Sequence, residues 1–140
     1  METEASGLAL IEYLTGKMKE GSSSRLSSVF ARKGFLELED IVQAVNHGDN
    51  LAIEGIAEIG YKLGKGLAVA INLFNPSAII LGGVLSMIGD PFLLPVRTSI
   101  LQHSLSLVNT DTIVTVSKIH EKAGLLGCCL LVRDKVHEVI

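Results

Sequence analysis

Between Gly66 and Gly89 the chain carries no charged residue. A run of that length and character either crosses a membrane or is buried inside a domain, and no other feature limits the possible folds so strongly. Its punctuation favours burial. Pro76 cannot continue a helix and restricts Asn75 before it, Asn72 lies just upstream, and Gly82-Gly83 follow. The stretch reads as a helix that stops at Asn75-Pro76, a short buried strand from Ser77 to Leu81, and a glycine turn at its end. Upstream, Ile56, Gly60, Leu63, Leu67, Ile71 and Phe74 recur at steps of three and four, so one helical face is apolar or notched. Gly60 and Gly64 stand one turn apart, each at a cost of about 1 kcal/mol against Ala. Side chains absent at that spacing let a second backbone come close.

The 140 residues suit one domain, residues 1–140, with a helical section over 1–50 and an αβ section over 51–140. Hydrophobic residues make up 48% and charged residues only 19%, a surplus of apolar surface that another domain or a second copy would cover. A net charge of −3 without a basic cluster argues against this piece gripping nucleic acid, and the absence of Trp argues against a stacking platform for single strands. Cys128 and Cys129 are adjacent in an apolar stretch, which predicts buried, reduced thiols on a helix and a cytoplasmic setting. His47, His103, His120 and His137 lie at no metal-ligand spacing. The N-terminus has no basic leader before an apolar run, and its first helix starts with almost no lead-in, as though the chain were entered midway through a larger domain.

The first half reads as all-helical. Leu8, Ile11, Leu14 and Met18 mark a helix capped by Ser6 and ended by Gly21; a second runs from Leu26 to Lys33 and is closed by Gly34. Leu38, Ile41, Val42 and Val45 mark a third, with Glu39 and Asp40 in its first turn and Gly48 as its stop. Asp49 or Asn50 then caps the long helix. In the second half, Asp90-Pro91 reads as an N-cap and first helical residue for a helix reaching about Ser104. Thr112–Ile119 is β-branched and reads as a second strand, and the segment from Ala123 onward as a helix pressed against the sheet by small residues. Two strands joined through a helix prefer a parallel, right-handed connection. The expected class is α/β, predominantly helical, with a parallel sheet of about two strands.

Gly82-Gly83 is the strongest chemical signal, since bare backbone at a strand's carboxyl end is where α/β folds admit ligands. A turn that merely needs positive φ explains the pair as well. Glu2 and Glu4 read locally as a solvated terminus, and Asp49 as a cap. No Ser-His-Asp, phosphate-loop or zinc pattern is present.

The order Asn75-Pro76, Ile79–Gly83, Gly89-Asp90 and Ala123–Gly127 resembles the C-terminal part of the ROK family, over nearly the whole chain. That family unites sugar-responsive transcriptional repressors and sugar kinases on a two-domain, actin-like, ribonuclease H-like ATPase fold. The resemblance implies part of the C-terminal lobe. It places Glu2 at the family's sugar-contacting glutamate, just after a zinc-binding cysteine motif that would lie upstream, and it places Gly82 and Gly83 beside adenosine if the parent binds nucleotide. No catalytic residue and no cofactor is expected within this chain. Zinc, and ATP with magnesium, are expected only of a longer parent, as are the phosphate loop, the catalytic aspartate and a winged helix for operator DNA. Without a base, a metal site and a phosphate cradle together this stretch would not be a kinase by itself. The stretches ETEASG, SLVNTDT and EKAGLLGCCLLVR are more similar to repressor members, which implies a sugar or sugar-phosphate effector, no membrane, and assembly into a homodimer or larger oligomer through helices. A sugar kinase parent and a plain oligomerisation module are the alternatives.

Overall fold

The computed structural model describes residues 5–105, 112–119 and 122–137. Helices α1 (Gly7–Lys19), α2 (Leu26–Lys33), α3 (Leu38–Asn46) and α4 (Asn50–Phe74) come first. They are followed by strand β1 (Ala78–Leu81), a 3-10 turn (Val84–Ile88), helix α5 (Asp90–His103), strand β2 (Ile113–Val116) and helix α6 (Ala123–His137). The strands pair in parallel, Ala78 opposite Ile113 through Leu81 opposite Val116, so the connection through α5 is the expected βαβ unit. Both strands are shorter than the runs read from the sequence, and β1 is not the buried strand expected, since Ala78 and Ile80 are exposed and only Leu81 is buried. The 3-10 turn, five residues without a side-chain cap, had no signature in the sequence.

The long helix α4 forms the spine. Leu51, Ile56, Ile59 and Ile71 are buried with Leu10 and Leu14 of α1, Ile41 of α3, and Val96 and Ile100 of α5 in one hydrophobic core. Its glycines act as notches. A Cβ on Gly60 would lie 3.0 Å from the Phe92 carbonyl oxygen and 3.2 Å from Pro95 Cβ. A Cβ on Gly64 would collide with the Val96 carbonyl oxygen and lie 2.7 Å from Ser99 Cβ. These contacts are to backbone and to short side chains, which cannot swing aside. The expected close approach is therefore met by α5. Phe74, the last residue of the expected buried face, is exposed, because the helix ends there as Asn75 turns left-handed (φ 42°) ahead of Pro76.

The caps follow the sequence. Ser6 Oγ accepts from Ala9 N at 3.3 Å, and Asp49 Oδ1 accepts from Ala52 N at 2.9 Å. Gly21, Gly34 and Gly48 all take positive φ beyond their helices. At α5 the cap position falls on Gly89 instead, and Asp90 is the first helical residue. The bare carboxylate still complements the helix dipole there. Asp49 does more than cap. Its Oδ2 accepts from Arg25 N at 2.7 Å, and Ser24 Oγ donates to the same carboxylate at 3.1 Å, so the start of α2 is bolted to the start of α4. The sheet is tied down similarly: Arg97 Nη2 donates to the Val114 carbonyl at 2.7 Å, and Thr112 Oγ1 to the Pro76 carbonyl at 2.8 Å.

Two expectations for the last helix are corrected. Cys128 and Cys129 are exposed rather than buried. Gly124 and Gly127 have no neighbour within 4 Å of a Cβ, so they do not press α6 onto the sheet. Leu125, Leu131 and Val132 are exposed as well. The apolar character of α6 thus answers to nothing among the described residues, and local composition cannot say what covers it. Among the described residues no helix is long and apolar enough to cross a membrane.

Two stability tests follow. Gly64→Ala should cost about 1–3 kcal/mol, since the added methyl meets α5 backbone. Gly16→Ala, on α1 with open space around it, should gain about 0.5–1 kcal/mol. Urea denaturation with both variants checks the contrast. For Asp49, burial opposes the charge, but the donors from Ala52 N, Arg25 N and Ser24 Oγ outweigh it and hold the carboxyl below its ordinary value. A depressed carboxyl contributes stability that is fully present above the unfolded value near pH 4 and is lost as pH falls through the lower folded value. Asp49→Asn should cost about 1–2 kcal/mol at pH 7 and flatten that acid dependence. Thermal melts from pH 7 to pH 3 measure it.

Candidate functional site

β1 ends at Leu81 and the backbone passes through Gly82 into Gly83, which has φ 86° and ψ 178°. That conformation is essentially closed to residues with a Cβ. The turn is fixed from beyond: the Gly83 carbonyl accepts from Ser86 N at 3.1 Å and from Ser86 Oγ at 2.7 Å, and Ser86 is buried. Gly83 therefore meets the structural explanation for a glycine. Gly82 does not, because its φ is not positive and a Cβ there would meet nothing within 4 Å.

Above this turn opens a cleft of about 370 Å³. Gly82, Gly83 and Val84 form one side, Ala5, Ser6 and Gly7 at the start of α1 another, and Leu38, Leu63 and Phe92 come from α3, α4 and α5. Five elements thus converge on the carboxyl end of β1, the position at which open parallel sheets take ligands. The described lining contains no ionisable side chain. Its polar groups are the Ser6 hydroxyl and bare backbone. Such a wall can hold a flat or apolar part of a molecule against glycine backbone, and it supplies no group that could exchange a proton or carry a metal.

Of the residues singled out from the sequence, Gly82 and Gly83 both line this cleft. Glu2 lies outside the described residues. Leu38 and Leu63 were legible only as members of apolar helical faces and Phe92 was not singled out at all; their meeting at one cleft depends on tertiary packing. Among the described residues, no group of three or more His, Cys, Asp or Glu could hold a metal ion, so the residues at hand do not fit a zinc site. Gly82 leaves bare backbone with open space beside it at the strand end.

The parallel βαβ unit packed on a long helix is shared with solved ROK sugar kinases, whose fold is actin-like. The ROK family model matches residues 1–135, and the chain belongs to the ROK family. It is 31% identical to a xylose repressor of Caldicellulosiruptor bescii over 94% of this chain and 33% of the repressor. It is 27% identical to a glucokinase of Halalkalibacterium halodurans over 96% of this chain and 41% of the kinase. The solved structure of a ROK family glucokinase from Streptomyces griseus, in complex with glucose and AMPPNP, superposes with a TM-score of 0.76 at 29% identity. That superposition covers 93% of this chain and 43% of the kinase. The chain spans about a third to two fifths of the length of the curated relatives it matches.

The two glycines should respond differently to a methyl group. Gly83→Ala should cost about 1–3 kcal/mol through backbone strain, whereas Gly82→Ala should leave stability within about 0.5 kcal/mol. Chemical denaturation of both variants makes the comparison.

Proposed function

We propose that this chain is the effector-binding and assembly portion of a sugar-responsive transcriptional repressor of the ROK family. The observation that carries this reading is the cleft at Gly82-Gly83, whose described walls can bind and cannot react. A sensor needs only that. The similarity to a xylose repressor over nearly the whole chain supports the repressor class, as do the stretches ETEASG, SLVNTDT and EKAGLLGCCLLVR. In this reading Glu2 contacts sugar hydroxyls, zinc orders the segment before it, and operator DNA is held by a domain outside this chain. Sugar changes DNA affinity only in so far as it binds one conformation more tightly than the other. The protein works in the cytoplasm, where both sugar and operator are found. Exposed Leu125, Leu131 and Val132 on α6 support a second role for this portion in assembly, as at least a dimer.

A sugar kinase parent is the competing reading, favoured by the similarity to glucokinases and by the open backbone at Gly82. In that case Gly82 and Gly83 border adenosine, and ATP with magnesium is bound mostly by residues elsewhere in the parent. The deciding experiment is fluorescence anisotropy of the full-length protein carrying this chain on DNA from its own promoter region, titrated with candidate sugars. Sequence-dependent binding released by one sugar is the expected result. Absence of specific binding, with ATP consumed in the presence of sugar, would replace the repressor with a kinase. Gly82→Leu sharpens the choice: it should abolish phosphorylation if adenosine packs there and spare DNA binding in a repressor.

A further inference from the structure

A second cavity, of about 170 Å³, lies between α2 and α3, away from the glycine turn. It is lined by Arg25, Leu26, Val29, Asp40, Gln43, Ala44 and His47. The polar groups of this wall are unequally committed. Asp40 pairs with Lys33 at 3.0 Å and accepts from Glu37 N at 3.1 Å, so its charge is already answered. His47 Nδ1 lies 2.7 Å from the Gln43 carbonyl oxygen, a bond in which the ring must donate. A neutral ring then has Nε2 left as an acceptor. The backbone of Arg25 is fixed, because its N–H donates to Asp49 Oδ2 at 2.7 Å. Its guanidinium makes no ion pair or hydrogen bond among the described residues. The nearby Asp49 carboxylate is taken up by Ser24, Arg25 and Ala52.

An unpaired guanidinium on a fixed backbone, an amide that can donate and an imidazole acceptor, all three on solvent-exposed residues, line one small open cavity. They match an oxyanion with a hydroxyl beside it: oxygens for Arg25 and Gln43, and for His47 Nε2 either the O–H of monoprotonated phosphate or a hydroxyl carried by the ester. Buried Leu26 and the Ala44 methyl supply the floor. The volume suits a compact head group rather than a whole nucleotide, since sites for larger ligands begin at about 300 Å³. We propose that this cavity is a phosphate site, taking inorganic phosphate or the phosphate of a small monoester, with Arg25 as the binding cation. It is separate from the cleft at Gly82-Gly83 and does not depend on the reading of that cleft.

The test is a titration followed by phosphorus NMR line broadening, with one arm of inorganic phosphate and one of a hexose 6-phosphate, on the full-length protein. Saturable broadening in at least one arm below about 10 mM is expected. Arg25→Gln should weaken it at least about tenfold, while Arg32→Gln, an exposed cation on the same helix, should leave it unchanged. His47→Phe should weaken it as well. Which arm saturates identifies the source of the phosphate. No saturation in either arm, or equal losses from Arg25→Gln and Arg32→Gln, would overturn the proposal, the second result meaning diffuse attraction to surface charge. Circular dichroism of each variant confirms folding, and unchanged unfolding midpoints separate lost binding from lost structure.

Discussion

The contact on which the rest of this structure depends is the one between two backbones, where α4 crosses α5 at Gly60 and Gly64. Helices ordinarily meet through side chains at axis separations of about 8–10 Å. Here the notches bring the Phe92 and Val96 carbonyl oxygens against bare α4 backbone, and α5 seats closer than side chains would permit. The helix propensity lost at each glycine is offset by dense packing around Ile56, Ile59, Val96 and Ile100. The consequence reaches the sheet. α5 is the crossover between β1 and β2, and Arg97 on it holds β2 through the Val114 carbonyl. The position of a two-stranded sheet, too small to stabilise itself, is thereby set by the helix pair.

Much of this was legible from residue order because the signals are local. Ser6 and Asp49 cap by hydrogen bonds that span three residues, and Asn75-Pro76 ends a helix by dihedral restriction within two. The paired glycines announced a close approach, though not its partner. Signals that depend on distant packing were illegible or misleading. Cys128 and Cys129 looked buried because their neighbours are apolar, yet apolar neighbours on α6 are themselves exposed. A periodic face predicts that something covers it, and it does not say that the cover lies within the same stretch of chain. Asp90 failed as a cap for a different reason: Gly89, with φ 73°, makes the turn one residue earlier.

The cleft divides along the same line. Gly82 and Gly83 stood out because a glycine pair after a β-branched run is visible within seven residues. Structure then gives the two separate explanations, Gly83 by its dihedral angles and Gly82 by none within the fold. The opposing walls at Ser6, Leu38, Leu63 and Phe92 come from four elements whose meeting is a property of the core, so no spacing rule could have assembled them. Gln43 and His47 lie one turn apart at the end of α3, but Arg25 was hidden from them likewise, since α2 and the loop before α3 stand between.

The overlap between cleft and core also determines how occupancy of the cleft can be felt elsewhere. Leu63 lines it and precedes Gly64; Phe92 lines it, and its own carbonyl faces Gly60. A side chain displaced in an ordinary core is absorbed by neighbouring rotamers. Here the adjoining α4–α5 contact at Gly60 and Gly64 is largely backbone and has no rotamers to change, so pressure on Leu63 or Phe92 that reaches it is relieved by moving one helix against the other. Because α5 carries β2 through Arg97, that movement would take the sheet edge with it. A molecule bound in the cleft that shifts Leu63 or Phe92 would thus be felt at the sheet edge, whether or not it is then transformed. How strongly it is felt depends on a difference in ligand affinity between two positions of α5, and each factor of ten in that difference corresponds to about 1.4 kcal/mol of bias.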